Sequence, residues 1–455
     1  MSRNRYQTEV LVIGGGNAGC AAAIAAARSG ARVMLVERYG FLGGTATASL
    51  VGPWMTYHAG SRRVVGGIAQ EIVERLMEEG ASPGHIEDSS SYVATITPFD
   101  AEHHKALLFR MMDEAGVQLM LHALFLEPLT KQEGEDAVVE GAVFQTVAGR
   151  IEVRAERVID ATADAHVAAS AGVPFQLGDS RTGLVQPATM IFRLSHVDLD
   201  ETAAYLRDHP DEIRTHIPAG ELTGELLSAV AGFWKEWREA QENGEVNIQR
   251  EVVSFFKTPY PDEVTVNMTR ILGIDPLNAE DLTRAEVEGR LQVMQLLNFF
   301  RKRVPGFKDA RLAGTATQVG VRESRRIVGE YTLTADDLLN ARKFPDSIAQ
   351  SGYPIDIHSS TGEGTITRRL PDGETYEIPY RCLVPLKAQN LLVAGRCIST
   401  THEALASTRL TPTVMNIGEA AGTAAAISVK QGQSFRSLDV TQLRRKLSEQ
   451  GVILE

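Results

Sequence analysis

Apolar residues near the N-terminus of the chain follow the order strand, helix, strand. Residues 9–13 (Glu-Val-Leu-Val-Ile) are typical of a buried strand, and the alanine-rich stretch that follows predicts a helix ending at about Ser29. A second apolar run over residues 31–36 ends in Glu37. Two strands joined by a helical crossover form a parallel pair, so residues 1–40 are predicted to fold as a βαβ unit.

The pattern continues to about residue 164, changes, and returns near residue 390. The first part predicts helices over about 68–79 and 100–115, a strand over 116–121 that continues a parallel sheet, a hairpin of 138–146 with 150–153, and a buried strand from 157. The middle part predicts amphipathic helices over 200–208, 221–242 and 282–304, and strands over 189–194 and 264–270. A strand over 390–396 and a helix opening near Thr411 resume the first pattern, which indicates that the two chain ends form one domain around an insertion.

The turn after the first strand has the glycines that a bound dinucleotide requires. Gly14 makes the tight turn, Gly16 lets the backbone approach a pyrophosphate, and Gly19 lets the helix pack closely on the strand. The helix N-terminus offers N–H groups and a positive dipole end to phosphates, and Glu37 is placed to accept hydrogen bonds from a ribose. A glycine-rich turn in another kind of α/β protein is the alternative, but all parts of the motif occur here in the required order.

Composition narrows the class of protein further. A chain of 455 residues is too long for one ordinary core and predicts at least two lobes. The net charge of −12 disfavours nucleic acid or an anionic membrane as the main partner. Three widely separated cysteines, Cys20, Cys382 and Cys397, indicate neither a metal site nor a disulfide framework and fit a cytoplasmic setting. We expect no signal peptide and no membrane span.

Several segments together resemble the bacterial FAD-dependent oxidoreductase family. They are Gly14–Gly19 with Glu37, 42–47 (Leu-Gly-Gly-Thr-Ala-Thr), 158–162 (Val-Ile-Asp-Ala-Thr), 320–326 (Gly-Val-Arg-Glu-Ser-Arg-Arg), 390–399 and 411–422. That family belongs to the glutathione-reductase-like flavoproteins, whose members include fumarate reductase flavoprotein subunits and thiazole synthases. The resemblance covers nearly the whole chain. It implies an α/β fold in which 1–165 and 385–455 form a Rossmann-like FAD-binding domain of the glutathione-reductase type, with 166–384 inserted as an α+β substrate or cap domain.

The resemblance also implies which residues bind FAD, the expected cofactor, in an extended form. The pyrophosphate would be held by Gly14, Gly16, Asn17, Ala18 and Gly19, the adenosine ribose by Glu37 with Arg38 beside it, and the path to the flavin would be lined by Gly43, Gly44, Thr45 and Thr47. Adenine would meet backbone groups of Leu124, the family's Ala-Thr-Gly stretch corresponds to Ala161 and Thr162, and the ribityl chain would lie near Gly395 and Arg396. Ala163 stands where that stretch has glycine, a departure that bears on the local backbone conformation.

The helix that opens at Pro412 and Thr413 would direct its dipole at the flavin C2 carbonyl. A helix N-terminus there stabilises the negative charge of a reduced flavin and raises its reduction potential. The alternative is an ordinary helix start with proline in its first turn. The two interpretations are compatible, and the neighbouring segments 395–396 and 418–422 favour the flavin role.

Three residues are candidates for the chemistry on the substrate. His402 could take a proton from an alcohol or amine, or could be a surface or capping histidine. Arg409 could bind a carboxylate through two nitrogens or brace its loop. Arg322 could face the cofactor and bind an anionic substrate, or could belong to a salt-bridge network on a helix surface.

The sequence therefore predicts an FAD-dependent oxidoreductase that transfers a hydride between a small-molecule substrate and flavin N5, with an unknown electron acceptor. A flavin-dependent monooxygenase or halogenase and a non-catalytic FAD-binding subunit stay open as alternatives, with a thiazole-synthase-like role as a minor one. The sequence has no second glycine fingerprint for NAD(P)H and no Trp-x-Trp-x-Ile stretch of the kind that halogenases carry. No motif names the substrate or decides whether the chain forms a homo-oligomer.

Overall fold

The helices lie mainly where apolar residues recur at helical spacing. The computed structural model describes residues 5–362 and 364–455. These residues contain twelve α-helices: α1 Asn17–Arg28, α2 Thr45–Ala48, α3 Ile68–Glu78, α4 Ala101–Ala115, α5 His166–Ser170, α6 Leu199–Asp208, α7 Trp234–Glu242, α8 Ala279–Arg303, α9 Ala335–Leu339, α10 His402–Thr408, α11 Thr411–Gln431 and α12 Val440–Glu449.

The strands are more numerous and mostly short. The same residues contain β1 Arg5–Ile13, β2 Val33–Val36, β3 Trp54–Met55, β4 His58–Ala59, β5 Arg62–Arg63, β6 Ile86–Glu87, β7 Thr95–Thr97, β8 Gln118–Met120, β9 Leu124–Glu133, β10 Asp136–Thr146, β11 Gly149–Asp160, β12 Phe175–Gln176, β13 Phe192–Ser195, β14 Ala229–Gly232, β15 Val253–Lys257, β16 Glu263–Val266, β17 Arg311–Thr315, β18 Arg326–Ile327, β19 Ser347–Ser351, β20 Ile355–His358, β21 Thr365–Arg368, β22 Tyr376–Pro379, β23 Ala388–Gln389 and β24 Leu391–Val393.

The largest sheet is a mixed sheet that contains strands from both chain ends. Its order is β23-β10-β11-β1-β2-β8, with β9 also paired to β10 and β24 also paired to β11. Strand β1 runs parallel to β2 and β11, and β24 runs parallel to β11. The central strands are buried on both faces, which explains why residues 10–13 and 33–36 are continuously apolar instead of alternating.

Helices α1 and α11 pack against each other through backbone atoms at two glycines. A Cβ atom on Gly418 would lie 2.0 Å from the carbonyl oxygen of Ala18, and one on Gly422 would lie 2.0 Å from that of Ala22. Only a residue without a Cβ fits at this distance. Both contacts advance in the same direction along the two helices, so α1 and α11 run parallel and their N-termini point the same way.

A second sheet has its own hydrophobic core. Its five strands are antiparallel in the order β14-β15-β16-β13-β17. Phe192 and Phe255 from this sheet pack with Phe299 and Phe300 of α8, and all four side chains are buried. The chain therefore has two separate layers that can enclose a ligand between them.

Most of the predicted elements are found, and three details differ. Helices α3, α4, α8 and α11 and the β10–β11 hairpin match their predictions. The predicted helix over 221–242 is wrong in its first half, because 229–232 form β14 at the edge of the second sheet and Phe233 then takes a positive φ of 56°. The two strands predicted over 150–153 and from 157 are one continuous strand, β11. Helix α10 was not predicted.

No helix among residues 5–362 and 364–455 combines the length and apolar character needed to cross a membrane.

Candidate functional site

A cavity of about 670 Å³ lies between the two sheets. Its walls include the carboxyl ends of β1 and β2, the segment after β11, the first residues of α1 and α11, and one face of the five-stranded sheet. Ligand pockets in proteins usually measure roughly 300–1000 Å³. The carboxyl edge of parallel strands is also where α/β folds bind nucleotides, so this cavity is the candidate site.

The three glycines of the first turn have different surroundings, and each matches one requirement of a dinucleotide cradle. Gly14 has a φ of +105°, and a Cβ there would lie 2.5 Å from the Ala161 carbonyl oxygen. A Cβ on Gly19 would lie 1.9 Å from the carbonyl oxygen of Gly14. At Gly16 the nearest atom would be the Gly44 Cα at 3.8 Å, so this face is open to a ligand.

The start of α1 is held rigidly below that opening. Gly16 precedes the helix and contributes no side-chain cap, so the first N–H groups of α1 are available to an anion. The Asn17 side chain donates from Nδ2 to the Gly43 carbonyl at 3.0 Å, and its Oδ1 lies 2.9 Å from Nε2 of His104. Burial lowers the pKa of His104 to about 3, so the imidazole is neutral and donates this bond. His104 therefore fixes the turn through Asn17.

The acid at the end of β2 faces the cavity and is already partly engaged. Glu37 accepts hydrogen bonds from the backbone N–H groups of Gly15 at 2.5 Å and Tyr39 at 2.9 Å, one on each carboxylate oxygen. Each oxygen retains a second acceptor site, so the contact with a ribose is compatible with this geometry. Arg38 and Leu124 also line the cavity.

The segment after β11 takes the conformation of a glycine turn although it has alanine. Ala163 has a φ of +67°, in the left-handed region that glycine favours. The Arg396 side chain donates from Nε to the Ala163 carbonyl at 2.9 Å and from Nη2 to Oδ1 of Asp164 at 2.6 Å. Arg396 thus holds the turn in place, with Ala163 in the left-handed conformation.

The N-terminus of α11 also reaches the cavity. Leu410, Thr411 and Val414 line it, and no side chain caps the helix. The free N–H groups of the first turn and the dipole of a 21-residue helix are therefore available to a ligand.

The residues predicted to bind FAD divide into two groups by position. Those that line the cavity are Gly14, Gly16, Asn17, Ala18, Glu37, Arg38, Gly44, Thr45, Leu124, Ala161, Thr162, Gly395 and Arg396. Gly19, Gly43, Thr47, Pro412 and Thr413 are not part of its wall as the described residues form it. Some of these residues support segments next to the cavity. The Thr47 hydroxyl, for example, donates to the Leu42 carbonyl at 2.6 Å within the glycine-rich loop.

Beyond the nucleotide cradle the cavity wall is rich in arginine. Arg250, Arg270, Arg322 and Arg409 all line it. Burial, followed by the neighbouring Arg409 and Arg250, lowers the pKa of Arg322 to about 9, and burial and then Arg270 lower the pKa of Arg250 to about 10. The guanidinium groups are still charged at neutral pH. Arg322 is therefore a cavity residue and not part of a helix-surface network.

His402 occupies a different environment from the one the sequence suggested. It is the first residue of α10, is buried, and is not among the cavity-lining residues that the structure describes. Its Nδ1 lies 2.8 Å from Oε1 of Glu323, a fully buried carboxylate that also pairs with Arg326. The geometry places His402 in a structural ion-pair cluster; its predicted catalytic role stays a prediction.

A second histidine, which the sequence did not single out, does face the cavity. Nε2 of His358 lies 3.4 Å from Oδ2 of Asp356, and the hydroxyl of Tyr353 donates to the same oxygen at 3.3 Å. Burial and then Arg322 lower the pKa of His358 to about 3. Burial favours the protonated form of Asp356, but the hydrogen bond from His358 and the charge of Arg409 outweigh it and hold the pKa of that carboxyl below its usual range. This arrangement presents a neutral imidazole beside a fixed carboxylate.

The cysteines take no visible part in the site. Cys20, Cys382 and Cys397 are free and buried, and burial raises the pKa of each thiol. Among the described residues no group of three His, Cys, Asp or Glu side chains is arranged to hold a metal ion.

The cavity fits an extended dinucleotide. The open face at Gly16 and the uncapped end of α1 match a pyrophosphate, and the uncapped end of α11 offers a second anion-stabilising contact at a distance from the first. Residues at both helix N-termini line the same cavity.

Comparisons with known proteins give one strong match. A family model described as FAD dependent oxidoreductase matches residues 9–447. Similar solved structures include the flavin-dependent brominase Bmp2 (14% identity over 97% of this chain and 83% of that one, TM-score 0.47). Others are a geranylgeranyl bacteriochlorophyll reductase-like protein from Thermoplasma acidophilum (14%, 98% and 83%, TM-score 0.47) and p-nitrophenol 4-monooxygenase PnpA from Pseudomonas putida DLL-E4 (11%, 98% and 85%, TM-score 0.47). No curated protein matches the chain significantly.

Proposed function

The chain belongs to the FAD dependent oxidoreductase family, and from that membership we propose that it catalyses hydride transfer between a small organic substrate and FAD. It is an enzyme and FAD is its cofactor. When bound, FAD supplies a hydride acceptor or donor at N5 of its flavin ring. An electron acceptor that the structure does not identify would complete the cycle.

One observation carries the proposal: the nucleotide cradle and the polar pocket are parts of one cavity. Gly16 and Asn17 line one part, while Arg322, His358 and Arg409 line another. A cofactor that extends from α1 to α11 would therefore end beside charged and titratable side chains. This proximity is what a substrate site next to a flavin requires.

We assign the parts of the cofactor to the residues in the order that the cavity presents them. The pyrophosphate would rest on the N-terminus of α1 at Gly16, the ribose on Glu37, and the flavin near the N-terminus of α11. In this arrangement 1–165 and 385–455 form the glutathione-reductase-type domain, and 166–384 cover the substrate. Pro412 and Thr413 would act through the helix N-terminus that they help to form and not through their side chains.

The proton that accompanies the hydride would be handled by His358. Its imidazole is neutral at physiological pH and lines the cavity, and Asp356 orients it. His402 would instead act as a positioning residue, because its hydrogen bond to Glu323 fixes the segment before α11. Arg322 and Arg409 would contact the substrate.

Purified protein tests the proposal. The holoprotein should be yellow and should bleach under anaerobic conditions with some members of a panel of small organic molecules. A stable protein that binds no flavin would contradict the proposal. Oxygen uptake driven by NADPH, with no anaerobic bleaching, would favour a monooxygenase instead. Tight flavin binding with neither reaction would favour a non-catalytic subunit.

A further inference from the structure

Resting on the proposed function, we infer that the substrate is a small organic acid whose carboxylate is bound by Arg250, Arg322 and Arg409. These three residues come from separate parts of the chain: before β15, after β17, and between α10 and α11. They nevertheless line the same cavity. Such convergence of three cations on one space is costly unless an anion is bound there.

The protein does not itself supply that anion. Among residues 5–362 and 364–455, no carboxylate oxygen lies within 4.0 Å of a nitrogen of Arg250, Arg322 or Arg409. Asp356 is turned toward His358, and Arg409 reaches only its backbone carbonyl, at 3.3 Å. Glu251 also lines the cavity and acts on Arg250 without forming a salt bridge among the described residues. Four guanidinium groups, with Arg270 included, against the carboxylates of Asp356 and Glu251 leave an excess of positive charge facing the cavity.

Backbone carbonyls hold some of the N–H groups of these arginines, and the remaining N–H groups are free to donate to a ligand. Nη1 of Arg322 donates to the Pro187 carbonyl at 2.7 Å and also contacts the Thr189 hydroxyl. Arg250 donates from Nη2 to the Asn267 carbonyl at 3.0 Å, while its Nε is buried without a protein partner. A guanidinium group fixed in this way presents a planar pair of N–H groups, the geometry that a carboxylate accepts.

The cofactor's own phosphates are a less suitable occupant of this cluster. The cradle for them lies at Gly16 and the first turn of α1, whereas Arg409 immediately precedes the first turn of α11. Arg250 lies next to β15 in the five-stranded sheet, the layer that faces the nucleotide-binding sheet across the cavity. The anion therefore belongs on the substrate side.

Holoprotein titrated with matched acids and amides tests the inference directly. The probes are succinate and benzoate against succinamide and benzamide, with binding followed by the flavin difference spectrum and by the melting temperature. We expect at least one acid to bind and its amide not to bind. The substitution Arg322→Gln or Arg250→Gln should weaken acid binding by about tenfold or more, because each removes a charge-assisted hydrogen bond. Arg238→Gln, at an exposed position on α7, is the matched control and should leave binding unchanged.

The outcomes separate this inference from the proposed function. Acid binding to a protein that holds no flavin, detected by the melting temperature, would overturn the proposed function but support the arginine site. A flavin-loaded protein that binds no acid, or that binds acid and amide equally, would overturn the inference alone. Loss of FAD in Arg250→Gln and Arg322→Gln would show that these arginines serve the cofactor phosphates. Displacement of bound acid by NADPH at the same site would assign the cluster to a nicotinamide nucleotide and would also overturn the inference.

Discussion

The glycines of the first turn have two different physical roles, although they belong to one sequence motif: one is required by the fold and another leaves room for a ligand. Gly19 is required by the fold, since a Cβ there would lie 1.9 Å from a backbone oxygen, whereas Gly16 faces open space. A side chain at Gly16 would harm only a ligand that approaches the backbone. The two glycines should therefore respond differently to the same substitution.

We expect Gly16→Ala to leave the free energy of unfolding of the FAD-free protein within about 0.5 kcal/mol of wild type but to weaken FAD binding. Gly19→Ala should destabilise the FAD-free protein by about 1–3 kcal/mol, because overpacking forces the helix away from the strand. Urea unfolding and flavin-fluorescence titration measure the two effects. Equal destabilisation by both substitutions would contradict the division of roles.

His358 is the residue whose replacement should affect turnover most selectively. His358→Gln should lower kcat by about 10²–10⁴-fold while FAD binding is kept, because the substitution removes a proton acceptor and not a cofactor contact. Since burial lowers the pKa of His358 to about 3, its imidazole should stay unprotonated and able to accept a proton throughout pH 5 to 8. A rate that falls below an apparent pKa near 6.5 in wild type but not in the variant would contradict the lowered pKa of His358, whereas a kcat of His358→Gln close to that of wild type would argue against this role.

The predicted nucleotide residues form a local sequence pattern, whereas the proposed substrate residues come from separate parts of the chain, and among them Arg322 and Arg409 were candidates from the sequence. Gly14, Gly16 and Gly19 lie within one six-residue stretch of the chain, so their spacing carries the signal. His358 and Arg250 meet in one cavity only because β20 and the segment before β15 are brought together by the fold. No local pattern records such a contact. A polar stretch near a cofactor motif does not show whether its side chains face the cavity, and His402, which stays a prediction, is not among the described lining residues.

At the scale of elements, buried polar contacts join helices that are far apart in the chain. Glu419 in α11 accepts a hydrogen bond on Oε2 from the backbone N–H of Ile68, the first residue of α3, at 2.9 Å. Burial raises the pKa of Glu419 to about 8. The folded protein therefore binds a proton that the unfolded chain has released above about pH 4.5, and stability falls as the pH rises from there to 8.

We expect Glu419→Gln to remove this dependence, because the amide can still accept the bond from Ile68 but carries no charge. At pH 9 the variant should be more stable than wild type by more than about 1 kcal/mol, and the difference should vanish near pH 5. Urea unfolding at both pH values measures it, with the exposed Glu449→Gln as control. A constant difference across pH would exclude titration of Glu419 as the cause.

The ends of a helix or strand were predictable where the local pattern of apolar and polar residues determines them. Helix α8 is amphipathic over its whole length and was found within a few residues of its prediction. The stretch 221–242 has similar composition, but its first half adds an edge strand beside β15. Pairing with another strand is a tertiary effect, and it overrides helical propensity.

For the whole molecule, buried neutral histidines should set the response to acid. Burial lowers the pKa values of His104 and His358 to about 3, so neither side chain takes up a proton in the folded state near pH 5. The unfolded chain does so below about pH 6.5. The contribution of these two residues to stability should therefore fall as the pH drops from 6.5 toward 4, by as much as about 1.4 kcal/mol per pH unit for each residue, and above about pH 4.5 the proton bound to Glu419 opposes this effect.

Unfolding by urea between pH 7 and 4.5 measures this slope. The substitution His104→Gln should reduce it, whereas the exposed His196→Gln should not. If the slope is the same in both variants and in wild type, acid sensitivity arises elsewhere.

The parallel packing of α1 and α11 fixes the distance between their N-termini. Helix α1 begins one residue before Ala18, while α11 begins seven residues before Gly418, its contact partner. The offset is six residues, and a helix rises about 1.5 Å per residue, so the two helix N-termini lie about 9 Å apart along the common axis. Because the close contacts at Gly418 and Gly422 fix how the two helices are aligned, this distance between their N-termini is also fixed. Only a cofactor long enough to contact both helix N-termini can be stabilised by both. The pair of helices therefore selects its ligand by length, independently of the side chains that contact it.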